Sequence, residues 1–158
     1  MTVICLCLGG SPESMKKRIA ALKNIEADQF VLSGFESEIS FMKSQIGEKE
    51  NVGYALSYDT LSNFESCLST LKNADKILLA TSPLHWRRVE LIVSRKIPQI
   101  KEKIEWIDSY EEEASYAALG LLIYKIFGPE LLQKVSIVMR WRKFKREYCI
   151  PLWREIPD

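Results

Sequence analysis

The sequence predicts a three-layer α/β fold, in which a mostly parallel sheet of about five strands carries helices on both faces. Short apolar runs of strand length alternate with segments whose apolar residues recur at helical spacing, starting at Val3 and continuing to about Lys96. Small-residue turns separate the two kinds of segment. Because right-handed crossovers join such units, the strands are expected to be parallel. A chain of 158 residues suits one domain of this kind, and we expect a single domain over residues 1–158.

The first two strand-helix units are predicted between Val3 and Ile46. Val3–Leu8 is a continuous apolar run that ends at Gly9 and Gly10, and the helix after it has Met15, Ile19 and Leu22 on its apolar stripe. Residues 29–32 form the second predicted strand. Ser33 and Gly34 then turn the chain into a helix at Glu36–Ile46.

The third and fourth units end in turns that are richer in polar side chains. Val52–Leu56 is a weaker candidate strand because it contains Gly53, and the helix after it is predicted over residues 60–71. Residues 76–80 form the fourth predicted strand. They run directly into Thr81 and Ser82, which suit a helix N-cap, and Pro83 suits the first helical position.

The segment after Pro98 is predicted to complete the fold. Residues 103–107 have the pattern of a short edge strand, and Asp108 and Ser109 are predicted to cap a long helix that reaches Phe127. Three glutamates, at positions 111–113, would then lie in the first turn, where the helix dipole favours negative charge. A last helix is predicted from residue 130 to about 144, before an irregular tail.

Composition excludes several classes of function. The net charge of +1 provides no global attraction to nucleic acid or membranes, so no nucleic-acid partner is expected. The four cysteines lack metal-binding spacing and the chain has one histidine, so we expect reduced thiols and no nitrogen- or sulfur-ligated metal. The longest apolar stretch is too short to cross a bilayer. We therefore expect a soluble, cytoplasmic protein.

Polar turns follow each of the first four predicted strands. In a parallel sheet these turns lie along one edge, where hydroxyl groups and helix N–H groups converge and ligands bind. The turn after the fourth strand also carries His85, the single histidine of the chain, and Arg88 lies on the same helical face. Neither a dinucleotide fingerprint nor a phosphate-binding loop is present. The candidate ligand-binding residues are Gly9, Gly10, Ser33, Gly34, Asp59, Thr60, Asn63, Thr81, Ser82 and Arg88.

In order and spacing, these residues and Glu38 resemble the YdcF-like proteins of the domain-of-unknown-function family 218, over roughly residues 3–95. The resemblance implies a Rossmann-like fold with a polar pocket at the strand ends, and an S-adenosylmethionine or nucleotide-like ligand. Some relatives are membrane-anchored proteins of the bacterial cell envelope. This chain departs from the pattern at Phe35, where many relatives carry another glycine, and we expect it to have no transmembrane anchor.

The resemblance and the residue chemistry together predict how the site would act. Glu38 would orient His85 and raise its pKa toward neutrality, so that the pair could transfer protons. Arg88 and Ser82 would hold an anionic group, while Asp59 and Asn63 would grip a ribose or another polar group. Thr60 would either contact the ligand or cap its helix.

Three hypotheses about function follow from this reading. The first is a small-molecule enzyme, a hydrolase or transferase that acts on a phosphate- or nucleotide-like substrate. The second is a noncatalytic binding or sensing module that uses the same pocket. In the third, the basic segment at residues 134–146 associates with nucleic acid or an anionic membrane surface.

Overall fold

A computed structural model of the chain describes residues 1–112, 118, 121–123 and 125–128. The chain separates into two compact units, Met1–Leu121 and Leu122–Asp158. Within the second unit, residues 122–123 and 125–128 are helical. The elements assigned in the first unit are β1 (Val3–Leu8), α1 (Pro12–Leu22), β2 (Gln29–Gly34), α2 (Glu36–Ile46), β3 (Val52–Leu56), α3 (Thr60–Glu65), α4 (Leu68–Asn73), β4 (Lys76–Thr81), α5 (Pro83–Lys96), a 3₁₀ helix (Pro98–Lys103) and β5 (Ile104–Asp108).

One parallel sheet organises the first unit, with its five strands in the order β3-β2-β1-β4-β5. Leu6 in β1 is in register with Val31 of β2 on one side and with Leu79 of β4 on the other. The chain therefore builds the sheet outward from β1, first in one direction and then in the other. This is the topology of a Rossmann-like, doubly wound sheet, and it confirms the predicted fold class.

Successive residues of a strand point to opposite faces of the sheet, and β1 is apolar on both faces. Helices cover both of these faces. In β1, Ile4, Leu6 and Leu8 belong to a core that includes side chains of α3, α4 and α5. Cys5 and Cys7 belong to a second core, which is closed by α1 and α2. The continuous apolar run that predicted β1 is thus a strand that is buried on both faces.

The predicted helix over residues 60–71 is two helices in the structure, and the break lies at Ser66 and Cys67. Ser66 Oγ donates a hydrogen bond to the Ser62 carbonyl at 2.7 Å, and Cys67 Sγ lies 3.0 Å from the Asn63 carbonyl. Side-chain donors of this kind compete for the carbonyl oxygens that a continuous helix would use. The apolar pattern across the break was nevertheless informative, since Phe64 and Leu71 are fully buried.

The predicted helix cap at Asp108 and Ser109 is wrong. Asp108 is the last residue of β5, and its Oδ1 accepts a hydrogen bond from the Tyr110 backbone N–H at 2.8 Å. Tyr110 has a left-handed backbone conformation with φ of 51°, and residues 109–112 are outside any helix. Glu111 is therefore not in the first turn of a helix, and its carboxylate is used elsewhere.

The predicted helix over residues 130–144, the basic segment and the tail lie outside the described residues. Within the described part of the chain, no helix has the length and apolar character needed to cross a bilayer.

Candidate functional site

The candidate site lies where β1 and β4 end side by side, which is the point at which the strand order reverses. Gly9 and Gly10 follow β1. Thr81 is the last residue of β4, and Ser82 is the N-cap of α5, where its Oγ accepts a hydrogen bond from the His85 backbone N–H at 3.4 Å. Open parallel sheets bind ligands at such a switch point. The predicted turn from β4 into α5 is therefore present, and it lies at the switch point of the sheet.

Arg18 of α1 makes the central contacts of this site, although it was not among the predicted site residues. Its side chain is buried, and its Nη1 donates to the carbonyls of Leu8 and Gly9 at 3.1 and 2.9 Å. Its Nε and Nη2 contact Glu111 Oε1 at 3.1 and 2.9 Å, and Nη2 also lies 3.3 Å from His85 Nδ1. These contacts use all the N–H donors of a guanidinium group.

The sequence did contain a signal for Arg18. The residue lies three positions after Met15 and four before Leu22, on the apolar stripe of α1 that was predicted to be buried. A charged side chain on a buried stripe requires a partner. The spacing therefore marks Arg18 as a paired, buried cation, but it cannot name the partner.

The partner is Glu111, which reaches Arg18 from the segment after β5. Its Oε1 also accepts from the Ser82 backbone N–H at 2.7 Å, and Thr81 Oγ1 lies 3.1 Å from it. The one proton of the Thr81 hydroxyl is donated either to Oε1 or to His85 Nδ1. Burial alone would raise the pKa of Glu111, but the charge and hydrogen bonds of Arg18, with the Ser14 hydroxyl and the Ser82 N–H, hold it below its usual value. Glu111 is therefore an ionised carboxylate at neutral pH.

His85 faces this pair from the first turn of α5. Its Nδ1 lies 2.7 Å from Thr81 Oγ1 and 3.3 Å from Arg18 Nη2, while its Nε2 is buried and has no hydrogen-bond partner among the described residues. A guanidinium N–H can only donate, so we assign Nδ1 as the acceptor and place the ring proton on Nε2. The unpaired group of His85 is then a hydrogen-bond donor.

The charge state of His85 differs from the expectation. Burial lowers its pKa well below the usual range, and the positive charges of Arg88 and then Arg18 lower it further. The imidazole is therefore neutral at pH 7, and the predicted rise of its pKa is wrong. The groups at Nδ1 are Thr81 and Arg18, where Glu38 was expected.

Glu38 lies at the neighbouring ends of β1 and β2. Its Oε2 accepts a hydrogen bond from the Phe35 backbone N–H at 2.9 Å, which caps the start of α2. A Cβ atom on Gly9 or Gly34 would collide with this same oxygen, so both glycines are needed for the close approach of the carboxylate. Glu38 thus has a clear capping role, and its part in proton transfer stays a prediction.

Ser33, Ser57 and Asn63 form a second buried polar cluster, at the ends of β2 and β3. Ser33 Oγ donates to Ser57 Oγ at 3.0 Å and lies 3.2 Å from the Asn63 carbonyl, while Ser57 Oγ donates to Asn63 Oδ1. Asp59 is the N-cap of α3, where it accepts from the Ser62 N–H at 2.7 Å, and Thr60 is the first residue of that helix. These contacts hold the turn after β3 in place.

The structure therefore divides the predicted site residues into groups. Gly9, Gly10, Thr81, Ser82 and His85 surround Arg18, which lies 3.2 Å from the position that a Cβ on Gly10 would take. Arg88 is close enough to lower the pKa of His85. Ser33 and Asn63 belong to the second cluster, Asp59 and Thr60 to the start of α3, and Gly34 to the Glu38 cap.

The thiols offer no activated nucleophile in the part of the chain that the structure describes. Cys5, Cys7 and Cys67 are free and buried. Burial raises the pKa of Cys5 to about 11 and that of Cys7 and Cys67 to about 12. They are protonated at neutral pH, as expected of small apolar core residues.

Fold and site together define an α/β protein with a Rossmann-like sheet and a buried polar cluster at its switch point. Comparison with known proteins gave no matching family model, no matching curated protein and no matching solved structure. The resemblance to the YdcF-like proteins accordingly stays a prediction.

Proposed function

We propose that the protein binds a small anionic molecule, such as a phosphate-bearing or nucleotide-like compound, at the carboxyl ends of β1 and β4. This proposal is carried by the state of His85. Its imidazole is neutral, its buried Nε2 has no partner among the described residues, and the charges of Arg88 and Arg18 lower its pKa. An unsatisfied buried donor costs about 1–3 kcal/mol, which a ligand acceptor would recover.

The surroundings of His85 favour a ligand with negative charge. Arg88 lies three residues after His85 on α5, and its positive charge lowers the pKa of the imidazole. His85 also lies in the first turn of α5, which begins at Pro83, and a helix N-terminus favours anions. His85, through Nε2, and Arg88, through its positive charge, are the side chains proposed to meet the ligand.

A second candidate is that the protein is an enzyme, a hydrolase or transferase acting on the same class of molecule. The observation in its favour is Thr81 Oγ1, which lies within hydrogen-bonding distance of both His85 Nδ1 and Glu111 Oε1. A hydroxyl in this position can orient an imidazole for proton transfer at Nε2. The depressed pKa makes His85 a weak base, which is why binding is the primary proposal.

A thermal-shift screen tests the binding proposal. Wild type, His85→Gln and Arg88→Ala would be tested with nucleotides, S-adenosylmethionine, sugar phosphates and lipid phosphates. A ligand at the proposed site raises the Tm of wild type by mass action and has less effect on both variants. Arg87→Ala is the matched control, because this neighbouring arginine on α5 is exposed.

Two outcomes would reject the binding proposal: no shift with any compound, or equal shifts in wild type, His85→Gln and Arg88→Ala. A ligand that passes this test is then incubated with wild type and assayed for products. Turnover that is lost in His85→Gln while binding persists supports the enzyme; binding without turnover supports the noncatalytic module.

A further inference from the structure

The anion-binding groups nearest to the switch point already hold a carboxylate of the same chain. Glu111 Oε1 accepts two hydrogen bonds from Arg18 and one from the Ser82 backbone N–H. The Thr81 hydroxyl lies 3.1 Å away and donates its single proton either to Oε1 or to His85 Nδ1. Arg18 and Glu111 are both more than nine-tenths buried. A buried guanidinium, a hydroxyl and a backbone N–H at a helix start are the donor set that proteins use for carboxylates and phosphates.

Glu111 fills this donor set incompletely. Both hydrogen bonds from Arg18 to Glu111 go to the same oxygen, Oε1, whereas arginine and carboxylate groups commonly pair through two oxygens. The Ser14 hydroxyl interacts with the Glu111 carboxylate, but Oε2 meets no described donor in good hydrogen-bonding geometry. The buried Ser109 hydroxyl is likewise without a partner among the described residues. An oxyanion free of the chain could place two oxygens on Arg18, which the tethered side chain does not do.

The described backbone around Glu111 is not part of a regular element. Residues 109–112 belong to neither a helix nor a strand, and the Ser109 N–H donates to the Thr81 carbonyl at 3.3 Å. Among the described residues, withdrawal of Glu111 therefore breaks no ladder of backbone hydrogen bonds. An incoming oxyanion would have to replace the carboxylate at Arg18, because a buried guanidinium without a counter-charge is costly.

We propose that Arg18, Thr81 and the Ser82 N–H form an oxyanion site, and that Glu111 is a tethered occupant which the anionic group of the ligand displaces. The existence of the oxyanion site stands on the contacts of Glu111. Its use by the physiological ligand rests on the proposed function. The site takes a carboxylate or a phosphate group, and the two are separated by the choice of probe.

Rescue of Glu111→Ala by added anions tests this proposal. The substitution removes two carbons and two oxygens, which are the heavy atoms of acetate. The full-length variant is unfolded by heat in sodium acetate, sodium phosphate and sodium chloride at matched ionic strength. We expect its Tm to rise and saturate with acetate or phosphate and to change much less with chloride, while wild type shows no anion-specific rise.

Glu112→Ala is the matched control, because this neighbouring glutamate is exposed and should respond as wild type does. A larger rise with acetate than with phosphate identifies a carboxylate site, and the reverse order identifies a phosphate site. Equal responses of Glu111→Ala to acetate, phosphate and chloride would overturn the proposal.

If Glu111→Ala does not fold in any of the three salts, Glu111→Gln decides the question. It keeps the volume of the side chain but removes the charge that competes with an added anion. Saturable stabilisation by acetate or phosphate supports the oxyanion site, and its absence refutes it.

The two proposals can fail separately. A ligand that binds wild type through His85 and Arg88, with no anion rescue of either Glu111 variant, overturns the oxyanion site alone. Anion rescue without any ligand in the screen supports the oxyanion site and removes the support for the proposed function.

Discussion

Arg18→Met is the substitution whose effect can be argued most directly from the structure. Methionine keeps much of the volume of the side chain and suits a helix, but it removes a buried positive charge. Glu111 would then keep only the Thr81 hydroxyl and the Ser82 N–H, and the carbonyls of Leu8 and Gly9 would lose their Arg18 donors.

The expected cost is large for one substitution. Breaking a buried ion pair by removing one partner costs about 3–5 kcal/mol, because the remaining charge stays buried without its counter-charge. The Arg18–Glu111 pair is a buried ion pair of this kind, since the relative exposures of the two side chains are 7% and 3%. A domain has about 5–15 kcal/mol of stability in total, so Arg18→Met should remove at least about a fifth of it.

The assay is urea unfolding followed by circular dichroism, with Lys16→Met as the matched control. Lys16 is exposed on the same helix, and its replacement should change the free energy of unfolding by no more than about 0.5 kcal/mol. The double variant Arg18→Met with Glu111→Leu should recover more than half of the loss, because no unpaired charge is left buried. A loss below about 1 kcal/mol for Arg18→Met would refute the reasoning, as would a double variant that is no more stable than the single one.

Three further predictions concern neighbouring residues. Because the folded-state pKa of His85 is depressed, the unfolded chain binds more protons below about pH 6.5. Stability should therefore fall as the pH drops from about 7 to about 5, by up to about 1.4 kcal/mol per pH unit, and urea titrations of His85→Gln should lack this contribution. Gly9→Ala should lower the free energy of unfolding by roughly 1–3 kcal/mol through overpacking, because the added Cβ would collide with Glu38 and lie 3.2 Å from the backbone of Gly34. Gly53→Ala is the control: its Cβ would lie 3.0 Å from the flexible Gln29 side chain, so it should cost less in the same urea titration. Tyr110→Asn should raise the Tm slightly and Tyr110→Val should lower it, because asparagine tolerates the left-handed conformation that valine resists.

The sequence was sufficient for the elements that local pattern determines. The bounds of β1, α2 and β3 agree with the prediction. A strand buried on both faces, such as β1, reads as one apolar run, and an amphipathic helix such as α2 repeats its apolar residues. The turn at Thr81 and Ser82 was also predictable, since hydroxyl caps and a following proline act within a few residues.

The centre of the site was not predictable, because it depends on contacts between distant segments. Arg18 and Glu111 are 93 residues apart, and no local rule links them. Glu111 lies within a run of three glutamates, where a helix start was the simplest interpretation. His85 lies in the turn where the sequence predicted it, but the sign of its pKa shift depends on which charges the fold places beside it.

The sheet topology explains why one cluster would affect both stability and the proposed binding. Because β1 is central, its carboxyl end must be closed from both sides of the sheet, and Arg18 does this by joining the Leu8 and Gly9 carbonyls to Glu111. His85 and Arg88, both on α5, are less buried than Arg18 and Glu111. Substitutions at Arg18 and Glu111 should consequently alter the free energy of unfolding before they alter function, whereas those at His85 and Arg88 report on the ligand. A functional defect in an Arg18 variant is therefore evidence for a binding role only after its loss of stability has been measured.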